Sequence, residues 1–534
     1  MTLRSTTPAA VRVLLAATLA VAATACTAGR NGSSGSSTST LIVNTSFVYK
    51  TLDPGRAYEQ TGYVALHAMY DSLLTFTGTD VEEPKPNLAE SYTASDDAKT
   101  FTFTLRQGAT FADGTPVTAE DVVFSLNRLQ NLKGSSASFF SGLEATAKDA
   151  RTVVITSEEP NPTVPVLMAM PASGILNRKL VTQHGATDGE DAATADKAQQ
   201  YLDQAAAGSG PYVLERNTPG SEIVLKANDK YWGTKPAYSR VVIRNMDVQN
   251  QKLTMTRATD AEIALDLSGK FLDGLPETLS ISQKQDTVYF AFLNTDPAVS
   301  KVSSNPKFAQ AMRAAIDYPG LAALFGRGGG TARGLVAPAY PGALGEGEEL
   351  KRDVEKAKRL LAEAGLNDPS VEFIYPAITY RGVDLGTVAT KVQGDAAAAG
   401  IDIELTPLPL TAFLERYRGG KAPMGMTPQS LSYPRAESIV KVMSPGGVNA
   451  ERMNWSKGYG AEEAGAAAKE FLAATTDAAR NEAAVKWQRA MNTDSPYLLL
   501  ASNSGTVVGS PAVTGAEYTP AGWTVDLAAV GVKK

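Results

Sequence analysis

Ser438-Ile439-Val440-Lys441 is a stretch whose spacing suits a reaction. In the S-x-x-K pattern a serine is the nucleophile and a lysine lies close enough to take its proton, the chemistry of a serine acyl enzyme. The usual companions, S-D-N and K-T-G, do not occur in the chain, and neither does a G-x-S-x-G elbow. Gly326-Arg327-Gly328-Gly329-Gly330 is glycine-dense, but no Lys-Ser or Lys-Thr follows it to cradle a phosphate. It reads as a flexible loop. Asp96-Asp97 and Glu82-Glu83 lie in polar, turn-like surroundings and read as solvated surface. Two histidines, His67 and His184, and one cysteine give no dedicated zinc site, so neither a metal nor another cofactor is expected.

The single cysteine has a different use. Arg4 and Arg12 precede an apolar run, Val13 to Ala25, which is shorter than the roughly 20 residues of a spanning helix. Residues 1–25 therefore read as a signal peptide. Ala23-Thr24-Ala25-Cys26 resembles the bacterial lipobox, with Ala23 where leucine is usual. Residues 26–40, containing GSSGSSTST, read as a lipid-attachment site and flexible tether. One thiol cannot build an intrachain disulfide framework, which favours the anchor. Loss of residues 1–25 removes Arg4 and Arg12 and no acid, so the net charge moves from −6 to −8. Such a chain has no general attraction for nucleic acid or anionic lipid. The expected membrane contact is the lipid on Cys26, outside the cytoplasm.

The elements that would position a site follow from periodicity. With 43% apolar and 20% charged residues the body can bury a large core, and its length suggests two or three domains. Leu41-Ile42-Val43 reads as a buried strand broken by Asp53-Pro54-Gly55. Helical spacing predicts a helix from Tyr63 to Leu74. Phe101, Phe103 and Leu105 alternate with Thr102 and Thr104, as in a half-buried strand. Thr118 and Asp121 look like a helix cap, with Val122, Val123, Leu126 and Leu129 as the buried face beyond it. Strands are expected at Thr152–Thr156 and Val241–Ile243, a hairpin at Tyr212–Arg216 and Glu222–Ala227, and a helix across the alanine-rich Asp188–Ala207. Helices also fit Ala464–Ala474 and Ala478–Met491. Asp353 caps a further helix that Gly365 stops. The class is α/β.

Five segments, in order, resemble the extracytoplasmic solute-binding proteins of peptide-class ABC importers, the bacterial family 5 group. They are Leu52-Asp53-Pro54; Pro86 to Leu129 (PNLAES … FTLRQGATFADGTPVTAEDV); Gly208 to Pro236 (GSGPY … NDKYWGTKP); Asn294-Thr295 with Arg313 to Asp317; and Asp353 to Leu366. The resemblance implies a two-lobed periplasmic-binding-protein-like fold of the large peptide class, with an additional inserted domain. Lobe I would comprise residues 41–75, 208–285 and 501–534, the additional domain 76–207, and lobe II 286–500. The implied function is that of an importer's receptor, not an enzyme. It would be a monomer that captures peptides or peptide-like molecules between its lobes and delivers them to the permease subunits.

The resemblance also implies where ligand sits: Glu59, Gln60, Thr61, Gly62 and Tyr63, then Asn294, then Gln429, Ser430, Ser432, Tyr433 and Arg435. One departure stands out. Peptide receptors of the family carry a D-Y-x-D-P type segment whose aspartate meets the ligand's α-amine, and here Ser432 stands in that place with Arg435 for the second acid. Serine accepts a hydrogen bond but cannot neutralise an ammonium group. Arg435 would suit a carboxylate or phosphate, or be an ordinary surface arginine. A receptor for a non-peptide solute (an oligosaccharide, opine-like compound or metal chelate) is therefore the alternative within the family, and an exported serine acyl enzyme the alternative outside it.

Overall fold

The computed structural model describes residues 39–533. Its framework is a ten-stranded mixed sheet. One half carries β1 (Thr40–Thr45), β8 (Tyr212–Thr218), β9 (Glu222–Ala227), β10 (Arg240–Asn245) and β11 (Glu262–Ala264). The other carries β13 (Ser370–Pro376), β16 (Asp402–Leu408) and β17 (Met424–Ser430). Between them run β12 (Ser280–Leu293) and β18 (Tyr497–Gly509), giving the order β16-β13-β17-β12-β18-β11-β1-β10-β9-β8. These two strands, 14 and 13 residues long, pair antiparallel from Ser280 opposite Gly509 to Phe292 opposite Tyr497. The register slips between Gln285 and Thr287, so Asp286 has no partner in the ladder and its side chain is re-aimed. β18 is buried along its whole length.

A hairpin, β2 (Leu74–Thr77) with β3 (Asp80–Pro86), leads into a separate antiparallel sheet. Its order is β4-β5-β7-β6, from Ala89–Ala94, Thr100–Leu105, Thr152–Ser157 and Leu143–Ala147. The expected alternation holds, with Phe101, Phe103 and Leu105 all nearly inaccessible. Helix α2 (Ala119–Asn131) packs on this sheet and starts with the expected capping box between Thr118 and Asp121. Its buried face includes Phe124 and Arg128, whereas Val123 is only half-buried.

Two buried carboxylates, Asp196 and Asp71, explain two further departures, the first through Arg128. Its guanidinium reaches both carboxylate oxygens of Asp53 (2.8 and 2.6 Å) and both of Asp196 (2.8 and 2.9 Å), with all three side chains sealed from solvent. Asp196 is extended, and it breaks the expected Asp188–Ala207 helix into single turns at Ala192–Ala195 and Gln199–Leu202. Leaving the buried Arg128 without a carboxylate partner would cost about 3–5 kcal/mol, more than the few tenths of a kcal/mol per residue that alanine propensity offers. The helix expected from Tyr63 to Leu74 is instead α1 (Gln60–Met69). It stops because Asp71 turns its carboxylate inward to accept bonds from Trp232 Nε1 (2.9 Å) and Ser209 Oγ (3.0 Å).

Elsewhere local signals and structure agree. The helix after Asp353 runs Val354–Glu363, the cap accepts the Lys356 N–H (2.8 Å), and Gly365 is left-handed with φ +66. The two alanine-rich helices run Ala461–Ala473 and Asp477–Thr493. The glycine-dense loop is tied down rather than free. Gly330 and Ser502 exchange backbone hydrogen bonds of 3.0 and 2.8 Å, and Ser504 Oγ donates to the Gly328 carbonyl (2.7 Å).

Candidate functional site

A cavity of about 340 Å³ lies beside the β12–β18 crossing. Distant segments build it. The start of α1 brings Tyr58, Gln60 and Tyr63, and the β12 slip brings Asp286. The end of β17 and its loop bring Gln429 to Ser432, and the C-terminal stretch brings Tyr518 and Thr524. Tyr380 and Arg381 come from a two-residue hairpin between β14 (Thr379–Tyr380) and β15 (Val383–Asp384). Its central residues, Arg381 (φ +46) and Gly382 (φ +78), are both left-handed, the geometry of a type I′ turn. A Cβ on Gly382 would lie 2.2 Å from the Ser268 carbonyl, so only glycine fits there.

Several lining groups already bond to one another or to the side chains beside them. The Tyr58 hydroxyl and Ser432 Oγ are 3.2 Å apart, and Gln60 Nε2 donates to Thr524 Oγ1 at 2.7 Å. Ser430 Oγ meets Thr287 Oγ1 at 2.7 Å. Arg381 donates both terminal nitrogens to Asp286, which also accepts the Tyr518 hydroxyl. Tyr518 packs over Gly505, where a Cβ would lie 2.0 Å from its ring. Burial, then the neighbouring Asp286 charge, pushes the Tyr518 and Tyr340 phenols far above their ordinary range, so both remain donors at any physiological pH.

The residues singled out from sequence divide into two groups. Gln60, Tyr63, Gln429, Ser430 and Ser432 line this one cavity. Glu59 turns toward Lys50 (3.6 Å), Thr61 accepts the Val48 N–H (3.0 Å), and Gly62 is packed near Tyr49 and Thr51. Asn294 is buried elsewhere, donating to the carbonyls of Gly420 (2.9 Å) and Ala422 (3.2 Å). Tyr433 packs edge-on against Phe139 at 5.4 Å. Arg435 is neither a surface arginine nor a lining group. It is 8% exposed, and its guanidinium donates to the backbone carbonyls of Val81 (2.8 Å), Pro434 (2.8 Å) and Glu82. The turn before the helix Glu437–Met443 aims it at β3, against the expectation of an anionic contact.

The S-x-x-K pair is not arranged for proton transfer. Ser438 Oγ is buried with no hydrogen-bond partner, and Lys441 Nζ is 2.5 Å from Glu437. Glu437 also holds Arg480 at 2.6 Å and accepts Thr163 Oγ1. Sequence reasoning passed over Tyr58, Asp286, Tyr340, Arg381 and Tyr518. Only Arg381 had a readable signal, the Arg-Gly pair between two short β-prone dipeptides, and that marks a turn rather than a site.

Known proteins match this architecture. The sequence model of the bacterial extracellular solute-binding proteins, family 5 (middle region), matches residues 83–450. The chain belongs to this family. Family 5 members are transport receptors that bind peptides or other small molecules and work with ABC permeases. A probable D,D-dipeptide-binding periplasmic protein of Escherichia coli (strain K12) is 27% identical over 392 residues, 71% of this chain and 72% of its own. Heme-binding protein A of Haemophilus influenzae is 26% identical over 517 residues, covering 90% and 91%. The solved structure of HbpA2 from Haemophilus parasuis shares the fold at a TM-score of 0.76 and 21% identity, covering 93% of this chain and all of that one (100%). Among the described residues, no helix is long and apolar enough to cross a membrane.

Proposed function

We propose that this protein captures a peptide-like or similarly small solute in the cavity at the β12–β18 crossing and hands it to an ABC permease. The observation that carries the reading is the convergence on one cavity of Tyr58–Tyr63, Asp286, Tyr380–Arg381, Gln429–Ser432 and Tyr518–Thr524. Such a cavity, at the low end of the roughly 300–1,000 Å³ typical of ligand sites, surrounds a small molecule with apolar bodies and a few fixed polar groups.

The proposal includes a division into lobes: residues 41–75, 208–285 and 501–534 as lobe I, 76–207 as an additional domain, and 286–500 as lobe II. Support comes from β12 and β18, which link the two halves of the sheet, and from the register slip at Asp286, a natural place for a bend. Closure would then be a hinge movement about these strands. Relatives named for a D,D-dipeptide and for heme keep both peptide-like and non-peptide ligands within the family's range. The monomeric state and lipid anchor remain part of the proposal, and Cys26 lies outside the described residues.

The test is mass spectrometry of solutes retained by the purified full-length protein, offered a pool of small peptides, sugars and chelates. Small-angle scattering would follow closure. Retention of one solute class with a fall in the radius of gyration is expected. No retention and no closure would overturn the receptor reading. Cys26→Ser should release the protein from the membrane fraction, and unchanged retention with an unmodified cysteine in the parent would refute the anchor.

A further inference from the structure

Among the described residues, two charged side chains line the cavity, Asp286 and Arg381, and they are committed to each other. Arg381 Nη2 donates to Asp286 Oδ2 at 3.1 Å and Nη1 donates to Oδ1. The same carboxylate accepts the Tyr518 hydroxyl, the Gly505 N–H (3.1 Å) and Thr287 Oγ1 (3.3 Å). Those five donors fill a group with about four lone-pair positions. Asp286 therefore has no free acceptor for a ligand ammonium, and the two terminal nitrogens of Arg381 are turned onto Asp286.

The pair is also held in place from outside the cavity. Arg381 occupies the left-handed region with φ +46, a conformation unfavourable for a residue with a side chain. The Asn503 side chain secures it by donating to its carbonyl at 3.1 Å. Asp286 sits at the ladder slip, and Tyr518 is seated on a glycine that leaves room for nothing else. At the other wall, Ser432 with the Tyr58 hydroxyl at 3.2 Å replaces any acid with neutral partners. The remaining polar lining consists of the hydroxyls and amides of Gln60, Gln429, Ser430 and Thr524, beside tyrosine rings.

Resting on the receptor reading above, we propose that this cleft selects an uncharged polar solute, and that the Asp286–Arg381–Tyr518 cluster is the determinant that rejects free ammonium and carboxylate groups. The accepted ligand offers hydroxyl or amide groups to the neutral lining and a ring or apolar face to the tyrosines. An ammonium would have to displace Arg381 from Asp286, and a carboxylate would be buried against an arginine whose charge Asp286 already neutralises, so either brings in a charge without a counter-charge. A rejection of at least tenfold relative to an uncharged analogue of the same size follows.

The experiment offers purified full-length protein an equimolar pool of cellobiose, trialanine, N-acetyl-trialanine and N-acetyl-trialanine amide, and reads bound solutes by mass spectrometry and calorimetry. Retention of cellobiose or the doubly blocked peptide, at least tenfold tighter than the charged members, is the expected result. Preferential retention of trialanine or N-acetyl-trialanine overturns this inference and leaves the receptor reading standing. No retention of any member, with no closure by scattering, overturns both. Asp286→Asn frees the Arg381 fork, so the affinity ratio of N-acetyl-trialanine to its amide should rise at least tenfold. Should that variant fail to fold, Arg381→Asn, a residue that tolerates the left-handed turn, removes both terminal-nitrogen donors and the positive charge from Asp286 and should raise the ratio of trialanine to N-acetyl-trialanine. An unchanged ratio in the variant that folds removes the cluster as the determinant.

Discussion

Arg128→Met is expected to destabilise the protein by about 3 kcal/mol near neutral pH. The arginine makes four hydrogen bonds of 2.6–2.9 Å to Asp53 and Asp196, and none of the three side chains is more than 1% exposed. Methionine fills the space but leaves two buried carboxylates facing one another. Breaking such a pair by removing one partner costs about 3–5 kcal/mol. Arg56 stays within 3.4 Å of Asp53 and 3.2 Å of Asp196 and moderates the loss, which places it at the low end. For a body of this length the unfolding entropy is about 1 kcal/mol/K, so the calorimetric midpoint should fall by about 3 °C. The deficit should depend on pH. Burial raises the Asp196 pKa, and Arg128 more than reverses this, so in the parent it lies below the ordinary 3.8 and its stabilisation persists until the pH falls through that depressed value. Without Arg128 the burial effect dominates, the pKa rises above 3.8, and the variant loses stability as pH climbs through the raised value. The gap between parent and variant should therefore widen from pH 4 to pH 7. A deficit under about 1 kcal/mol, or one constant over that range, would refute the account of a buried ionic clamp.

Arg435→Ala should lower stability by about 1–3 kcal/mol, because the carbonyls of Val81 and Glu82 lose a buried donor. The ratio of affinities for acidic and uncharged probes should not move, and a selective loss for acidic probes in calorimetry would return Arg435 to the site. Tyr58→Phe removes a hydroxyl 3.2 Å from Ser432 and should speed ligand release about two- to tenfold in stopped-flow measurements. An unchanged release rate would show that this contact does not help hold the cavity shut. Burial raises the Asp71 pKa to about 6, partly offset by bonds from Trp232, Ser209 and Asn87. The folded state thus holds this proton more tightly than the unfolded chain. Its contribution is complete below pH 3.8 and is lost as pH rises through about 6, a decline of about 3 kcal/mol. Asp71→Asn should remove that slope from denaturation curves taken between pH 4 and 7, and identical slopes in both proteins would mean that Asp71 does not titrate there.

What sequence alone determined was local or family-wide. The Thr118–Asp121 cap, the alternation of Phe101, Phe103 and Leu105, the hairpin around Gly220 and the stop at Gly365 each depend on residues a few positions apart, so their physics is present in the string. The ordered family segments were legible as a resemblance, and that resemblance, not local physics, singled out Gln60, Tyr63, Gln429, Ser430 and Ser432, which the fold brings to one cavity. Side-chain direction was a tertiary decision. Asn294 and Arg435 stand in segments that motif position alone makes candidates, yet one is spent on Gly420 and Ala422 and the other on β3. Asp188–Ala207 has helical composition, and a distant arginine breaks it at Asp196. The charged centre of the cavity was the least legible part. Asp286 meets Arg381 across 95 positions and Tyr518 across 232, and it faces them because the β12–β18 register slips by one residue at that point. A slip in pairing between two strands separated by some two hundred residues is set by how both halves of the sheet pack, and no short stretch of either strand carries it.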